Sequence, residues 1–292
     1  MPRTILKQFK RSSAPPKKRV VVQARDMEIF KNLADYRFLD ARQIELLHPG
    51  RGGPRYNQRR LQYLFHHGYI DRPPSQLSYY RTRGHLIYAL GRKGADAIYA
   101  GEPELRGRID WHKKNAEVKF PFLDHAMMIS DFRATLSLAL KGNQRAKLAS
   151  WRQGEDLRDR VRLKDGKVAI VPDAFFTLEE GDDLMHFFLE ADRSTMTLER
   201  FLRKISAYWQ WWRERGHEKK FSIKSFRVLT ITISEERKEN LRQISRQADS
   251  RGQGSNMFLF SCEKNYSFEK PEAIMRPIWQ SSKDESLRHL LE

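Results

Sequence analysis

The chain has 292 residues, and its 55 Lys and Arg outnumber its 37 Asp and Glu, which gives a formal charge of +18 at pH 7. Its 17 Phe, 10 Tyr and 6 Trp exclude a disordered tail protein, which lacks the apolar surface for a core. The single cysteine excludes a disulfide framework and a zinc site made of several thiolates. No apolar run approaches the roughly 18 residues of a membrane span, and no signal peptide is visible. We therefore expect a cytoplasmic protein with no membrane partner and with a polyanion, most simply nucleic acid, as its partner.

The positive charge is concentrated in the first part of the chain. Residues 1–118 contain 24 Lys and Arg against 11 Asp and Glu, whereas residues 119–292 contain 31 against 26. Residues 1–25 contain eight basic residues and no acidic one. Such a segment cannot bury enough apolar surface to offset the entropy lost on ordering, so it predicts a flexible basic arm. The arm either lies along DNA phosphates or is a solvated tail.

Residues 26–100 begin with three predicted helices. Apolar residues at helical spacing predict the first over 26–36, and Asp40 stands at the N-cap of a second over 41–47. A proline and three glycines predict a turn over 48–53, and the third helix runs from about Pro54 to Gly68. The predicted apolar face of this third helix carries Tyr56, Leu61, Leu64 and Phe65. Its opposite face carries residue types that contact phosphates and base edges in the major groove: Arg55, Asn57, Gln58, Arg59 and Gln62.

A predicted wing follows the third helix. Strands predicted over 68–72 and 86–90 flank a polar segment with Arg81 and Arg83, and a further helix is predicted over 95–99. This order predicts a winged helix-turn-helix, and GYIDR…IYALGRKG is similar to the wing of many bacterial winged-helix proteins. We predict contacts with double-stranded DNA from Arg51, Arg55, Asn57, Arg59, Arg60, Arg81 and Arg83. Winged helices also dock proteins, so an adaptor is the alternative.

A linker is predicted over 101–121, an α/β domain over 122–280 and a tail over 281–292. The second domain starts with a helix over about 123–141 and continues with strand patterns at 147–151, 168–178 and 185–192. A long helix through Arg215, a strand at 226–233, a helix at 235–247 and a strand at 257–262 complete it. This order predicts a central mixed sheet, so the whole chain is predicted to be an α+β two-domain protein.

Two neighbouring strand patterns carry acidic residues at a spacing that resembles the PD-(D/E)xK nuclease core. Pro172-Asp173 lies in the first pattern and Glu190-Ala191-Asp192 in the second. Because residues i and i+2 of a strand face the same side, Glu190 and Asp192 project together and Asp173 joins them from the neighbouring strand. Carboxylates so placed hold Mg²⁺ through oxygen ligands, which makes Asp173, Glu190 and Asp192 the candidate metal and catalytic residues.

The lysine of that nuclease pattern is missing, because its position is occupied by Asp192. Lys204 and Arg200 lie on the next helix, from which related nucleases sometimes supply this lysine, so Lys204 is a candidate catalytic residue if the site is active. Two structural alternatives compete with cleavage. Asp192 caps the following helix, or the Glu190–Asp192 face pairs with Arg200 or Lys204. We expect a nuclease-like fold that does not cut.

The combination of these features resembles the replication-relaxation family of bacterial plasmids and mobile elements. The resemblance covers roughly residues 26–235, and its most specific part is Pro172-Asp173 followed by FLEADRST at 188–195. It implies sequence-directed DNA binding near an origin, with a relaxase or replication initiator as protein partner and a homodimer as a possible assembly. The chain is thus predicted to be a DNA-binding accessory or regulatory protein of replication or conjugative mobilization. The alternative is a metal-dependent DNA endonuclease or nickase using Asp173, Glu190 and Asp192.

Two further patterns lie on the helices of the second domain. The densest aromatic cluster of the chain is Tyr208, Trp209, Trp211 and Trp212, which predicts either core packing or a stacking platform, with Trp211 off the main apolar stripe. That stripe is predicted to consist of Leu198, Phe201, Leu202, Ile205, Trp209 and Trp212. The charged segment 237–242 predicts a solvated helix face.

Overall fold

A computed structural model describes residues 10–11, 19–50, 52–77, 80, 84–106, 115, 118–143, 145–249 and 251–292. The predicted contacts of Arg51, Arg81 and Arg83 lie outside these residues, as do most of the predicted arm and much of the predicted linker. The chain divides into two compact units, Met1–Asp131 and Phe132–Glu292. No helix of the described residues is both long and apolar enough to cross a membrane.

The first unit combines helices with a three-stranded antiparallel sheet. Its helices are α1 (Ala24–Tyr36), α2 (Ala41–Leu47), α3 (Gly53–His66) and α4 (Arg92–Gly101). Its strands are β1 (Phe38–Asp40), β2 (Ile70–Asp71) and β3 (Ile87–Leu90), and they lie in the order β1-β3-β2. Strand β1 was not predicted, because three residues are too few to show an alternating pattern.

Local capping explains the start of α2. Asp40 Oδ1 accepts a 2.8 Å hydrogen bond from the backbone N–H of Gln43, and Gln43 Oε1 accepts one of 2.7 Å from the N–H of Asp40. This reciprocal pair is a capping box, and it confirms the predicted N-cap. Gly94 explains how α4 packs beside β2, since a Cβ at this position would lie 2.3 Å from the backbone oxygen of Tyr69.

The helix α5 (Phe120–Lys141) begins in the first unit and ends in the second. Leu123 and Met127 pack against Phe38, Ile87 and Ala89 of the three-stranded sheet. In the second unit, the ring of Phe132 contacts those of Trp151, Phe176 and Trp279. The aromatic contacts place the middle of α5, at Phe132, against the large sheet.

The second unit is built on a large mixed sheet, as predicted. Its remaining helices are α6 (Leu198–Arg213), α7 (Gly216–Phe221) and α8 (Glu235–Ser245). The sheet contains β4 (Ala146–Arg152), β7 (Ala174–Glu180), β8 (Asp183–Asp192), β9 (Arg227–Thr232), β10 (Phe258–Cys262), β11 (Trp279–Ser281) and β12 (Leu287–Arg288). Among the described residues its order is β12-β11-β10-β9-β8-β7-β4. Strands β8, β9 and β10 run parallel, and the other pairs are antiparallel.

One predicted strand belongs to a separate hairpin and not to the large sheet. The segment 168–171 does not continue into the large sheet, because β6 (Gly166–Ile170) pairs with the unpredicted strand β5 (Asp159–Leu163). Gly166 adopts a φ of +127° at the start of β6, a value that favours glycine. The hairpin buries Val161 and Ile170 in the same core as α6.

The buried stripe of α6 differs from the predicted one. Phe201 and Ile205 are buried as predicted, but Trp211 is 2 % exposed whereas Trp212 is 43 % exposed. Trp211 is drawn inward because its Nε1 donates a 2.8 Å hydrogen bond to Asp159 Oδ2. Gly216 leaves room for this ring, since a Cβ there would lie 2.1 Å from Trp211 Nε1. Trp212, not Trp211, is therefore the accessible tryptophan of the pair.

Candidate functional site

The exposed face of α3 carries four polar side chains. Arg55, Gln58, Arg59 and Gln62 are all exposed, and their spacing of three, four and seven residues places them on one face of the helix. The helix begins after a glycine-rich turn with Pro54 in its first turn, where the missing N–H costs nothing. The two guanidinium groups and two amides match the hydrogen-bonding edges of guanine and adenine in a major groove.

Two other residues of α3 are placed differently from the prediction. Asn57 is 3 % exposed and its amide donates to Glu45, beneath a turn where a Cβ on Gly50 would collide with it. Tyr56, predicted on the apolar face, is 49 % exposed. The predicted faces are therefore wrong for these two residues: Asn57 is buried instead of exposed, and Tyr56 is exposed instead of buried. The amide of Asn57 is buried because it packs against the turn before α3.

Arg60 belongs to α3, and its side chain contacts residues at and just before the start of α1. Its guanidinium forms an ion pair with Asp26, whose side chain is 1 % exposed, and donates a 2.8 Å hydrogen bond to the backbone oxygen of Val21. A buried carboxylate without its partner is strongly destabilising. Arg60 therefore stabilises the first unit, and Arg55 and Arg59 are the basic residues that α3 presents outward.

The second candidate site lies at the carboxyl end of β8. Glu190 and Asp192 are 3 % and 7 % exposed, and they align with Thr230 and Thr232 of the parallel strand β9. Asp173 lies directly before β7, and its Oδ2 accepts a 2.8 Å hydrogen bond from the backbone N–H of Ala191. The structure thus brings Asp173 beside the segment that carries the other two carboxylates.

Glu190 contacts two side chains of α6. Tyr208 donates a 2.6 Å hydrogen bond to Oε1, and the ammonium group of Lys204 contacts Oε2. Burial raises the pKa of Glu190 to about 7, and the charge of Asp173 adds to this rise while Lys204 opposes it. Burial lowers the pKa of Lys204, but its carboxylate neighbours raise it above the ordinary value overall. Lys204 is therefore the cation of this cluster, and it comes from the helix instead of the strand.

Asp192 is bound by Arg237 of α8. Nε of Arg237 donates a 2.8 Å hydrogen bond to Oδ2, and Nη2 donates one of 3.1 Å to Oδ1. The hydroxyl of Thr232 and the backbone N–H of Ser194 also donate to Oδ2, at 3.2 and 3.1 Å. Charged bidentate contacts of this kind are among the strongest hydrogen bonds in proteins. Asp192 therefore joins the strand to α8.

Two predictions about this face are wrong. Asp192 does not cap α6, because Thr197 is its N-cap and accepts a hydrogen bond from the backbone N–H of Arg200. The segment 237–242 is not a solvated face, because the Arg237 side chain is 15 % exposed and Arg242 is 1 % exposed. Ser234, the N-cap of α8, is the sequence signal that fixes where Arg237 falls on the helix.

The carboxylate oxygens are already engaged by protein groups. Among the described residues, no three His, Cys, Asp or Glu side chains form a group that could hold a metal ion. Lys204 and Tyr208 contact the carboxylate oxygens of Glu190, and Arg237 forms an ion pair with Asp192. A divalent cation needs carboxylate oxygens directed at it, and Mg²⁺ at Asp173, Glu190 and Asp192 stays a prediction.

The chain matches one protein family. The model of the family described as replication-relaxation matches residues 30–223, a range that contains α3, Asp173, β8 and Lys204. No curated protein matches the chain, and no solved structure does.

Proposed function

The chain belongs to the replication-relaxation family, and from this premise we propose that it is a DNA-binding accessory or regulatory protein. Membership in this family suggests a role in the replication or mobilization of plasmids and mobile elements. In our proposal the first unit recognises duplex DNA. The second unit has the order of elements of a PD-(D/E)xK nuclease but does not cleave, and it contacts a relaxase, a replication initiator or a second copy of the chain.

The observation that carries the proposal is the exposed face of α3. Arg55 and Arg59 point outward with Gln58 and Gln62 beside them, whereas Arg60 is committed to Asp26. Residues 1–118, which contain this helix, hold 24 basic against 11 acidic residues. Charge of this sign and density favours a phosphate backbone as partner, and the amides supply groups that distinguish bases.

The arrangement around α3 supports a winged helix. Helix α2 and helix α3 follow one another across a short glycine-rich turn, and strand β2, which comes soon after α3, pairs antiparallel with β3. In winged helices the second helix of such a pair enters the major groove. We propose this role for α3, with the paired strands β2 and β3 as the base of the wing.

A second candidate function is metal-dependent endonuclease activity. The observation that favours it is Lys204, whose ammonium group contacts Glu190 beside Asp173 and so supplies the lysine that the strand lacks. The ion pair of Asp192 with Arg237 and the hydrogen bond from Tyr208 to Glu190 favour the non-cleaving alternative. We therefore rank duplex binding without cleavage first.

One experiment separates the three functions. The full chain is incubated with supercoiled plasmid carrying the origin of its own element, in Mg²⁺ and in Mn²⁺, and electrophoresis measures both retardation and nicking. We expect retarded, intact plasmid and a binding affinity that falls steeply as salt is raised. Nicking that disappears in Asp173→Ala would establish the endonuclease instead. Absence of retardation at low salt would leave the protein-docking adaptor.

A further inference from the structure

The second unit has an open groove at the amino ends of its parallel strands. Its volume is about 370 Å³, within the roughly 300–1,000 Å³ of typical ligand sites. The start of β8, the residues before β9 and β10, and the end of α6 line it, including Leu184, Trp209, Trp212, Phe226, Arg227 and Asn256. Glu190 and Asp192 lie near the other end of β8, so this groove is separate from the carboxylate site.

Two tryptophans form the apolar wall of the groove. The rings of Trp209 and Trp212 are 5.4 Å apart at a tilt of 30°, and Trp209 also contacts Phe258 at 6.5 Å. Trp209 is packed against the core, whereas Trp212 is 43 % exposed. The inner ring therefore supports an outer ring that is open to a ligand. An exposed aromatic ring on the wall of a groove offers a flat apolar surface on which a base can stack.

Cations lie directly beside the aromatic wall. A smaller groove of about 140 Å³ shares Arg227 and Asn256 with the first and is also lined by Arg288, His289 and Glu292. Burial lowers the pKa of Arg227, and the neighbouring charge of Arg288 lowers it further, while Glu292 opposes both. Arg288 forms a 2.6 Å ion pair with Asp284, and Arg227 donates to the backbone oxygen of Glu292. A guanidinium has five N–H donors, so each of these two groups retains donors for a further anion beside the partners it already contacts.

We propose that the two adjoining grooves together bind one unpaired nucleotide of single-stranded DNA. The base stacks on the outer face of Trp212, and the Asn256 amide offers a donor and an acceptor to its edge. The phosphate that follows the base faces Arg227 and Arg288. A purely apolar partner would need only the aromatic ring. The adjacent cations favour a nucleotide, because it carries both a base and a phosphate. The inference goes beyond duplex recognition, because it concerns the other unit and the other form of DNA.

The test measures binding of a fluorescein-labelled twelve-residue oligothymidine to the full chain by anisotropy, at about 0.2 M salt so that unspecific charge binding is suppressed. We expect Trp212→Ala to weaken binding about tenfold or more, because stacking on an aromatic ring is lost. Trp212→Phe keeps an aromatic ring and should retain most of the affinity. Because Trp212 is on the surface, circular dichroism should show that both variants fold.

Two controls separate stacking from charge and from the proposed duplex site. An abasic oligomer of the same length keeps the phosphates, and the wild type should bind it as weakly as Trp212→Ala binds oligothymidine. The double variant Arg55→Ala, Arg59→Ala should bind oligothymidine as the wild type does, even if duplex recognition fails. Equal binding of both oligomers by the wild type, or unchanged binding by Trp212→Ala, would overturn the proposal. The proposal would also be overturned if Trp212→Ala changed the chain from a dimer to a monomer and left its affinity for oligothymidine unchanged.

Discussion

The double variant Arg55→Ala, Arg59→Ala is expected to bind duplex DNA about 100-fold or more weakly than the wild type at 0.15 M salt. Each arginine that contacts a base edge contributes about 1–3 kcal/mol, and a factor of ten corresponds to about 1.4 kcal/mol. Both side chains are exposed on one face of α3, so their removal leaves no buried partner behind. Electrophoretic mobility or anisotropy with the duplex of the element's own origin measures the loss.

A charge-matched variant makes this result interpretable. Arg145 and Lys147 are exposed residues of the second unit, 84 % and 69 % exposed, and replacing both with alanine removes the same charge. This control should lose affinity by less than about threefold, because it leaves the α3 face intact and exposed charges are partly screened at this salt concentration. An equal loss in the two variants would mean that total charge, not the α3 face, governs binding.

The second large effect is expected in the pH dependence of stability. The pKa of Glu190 is raised to about 7 in the folded chain, from 4.5 in the unfolded one, so the folded state holds this proton more tightly. As pH rises from about 4.5 to 7 the unfolded state loses the proton first, and the free energy of unfolding falls. Each pKa unit corresponds to about 1.4 kcal/mol, so Glu190 alone lowers stability by about 3 kcal/mol across this window.

Glu190→Gln should remove this fall, because the amide keeps the shape of the side chain but does not titrate. Urea unfolding at several pH values between 4.5 and 7.5, followed by tryptophan fluorescence, measures it. Five of the six tryptophans lie in Phe132–Glu292, so the signal reports mainly on the second unit. Glu179→Gln is the matched control, since Glu179 pairs with Lys147 at the surface. A slope shared by the wild type and Glu190→Gln would contradict the account.

Much of the architecture follows from local signals in the sequence. The cap at Asp40 and the proline at the start of α3 each depend on neighbouring residues, and the structure reproduces them. The exposed positions Arg55 and Arg59 follow from helical spacing. The burial of Asn57 does not follow from helical spacing, because it depends on contact with Glu45, twelve residues away, and on a turn with no side chain at Gly50.

The carboxylate site shows the limit of such reasoning. Strand alternation places Glu190 and Asp192 on one face, but their partners are 14 and 45 residues away on two different helices. The sequence allowed Lys204 or Arg200 as a partner, and it gave no reason to choose Arg237 for Asp192. Helix rotation against the sheet decides which cation reaches which oxygen, and this depends on packing across the whole unit.

The most direct test of the central claim, that α3 reads duplex DNA, is affinity cleavage from its exposed face. The chain's one cysteine, Cys262, is buried, so Gln58→Cys introduces an accessible thiol for an iron–EDTA label beside Arg55 and Arg59. We predict cleavage of the bound duplex within a few base pairs of a single position. The same label at Lys31→Cys, an exposed site on α1, should give little or none. Cleavage from Lys31→Cys and none from Gln58→Cys would contradict the account.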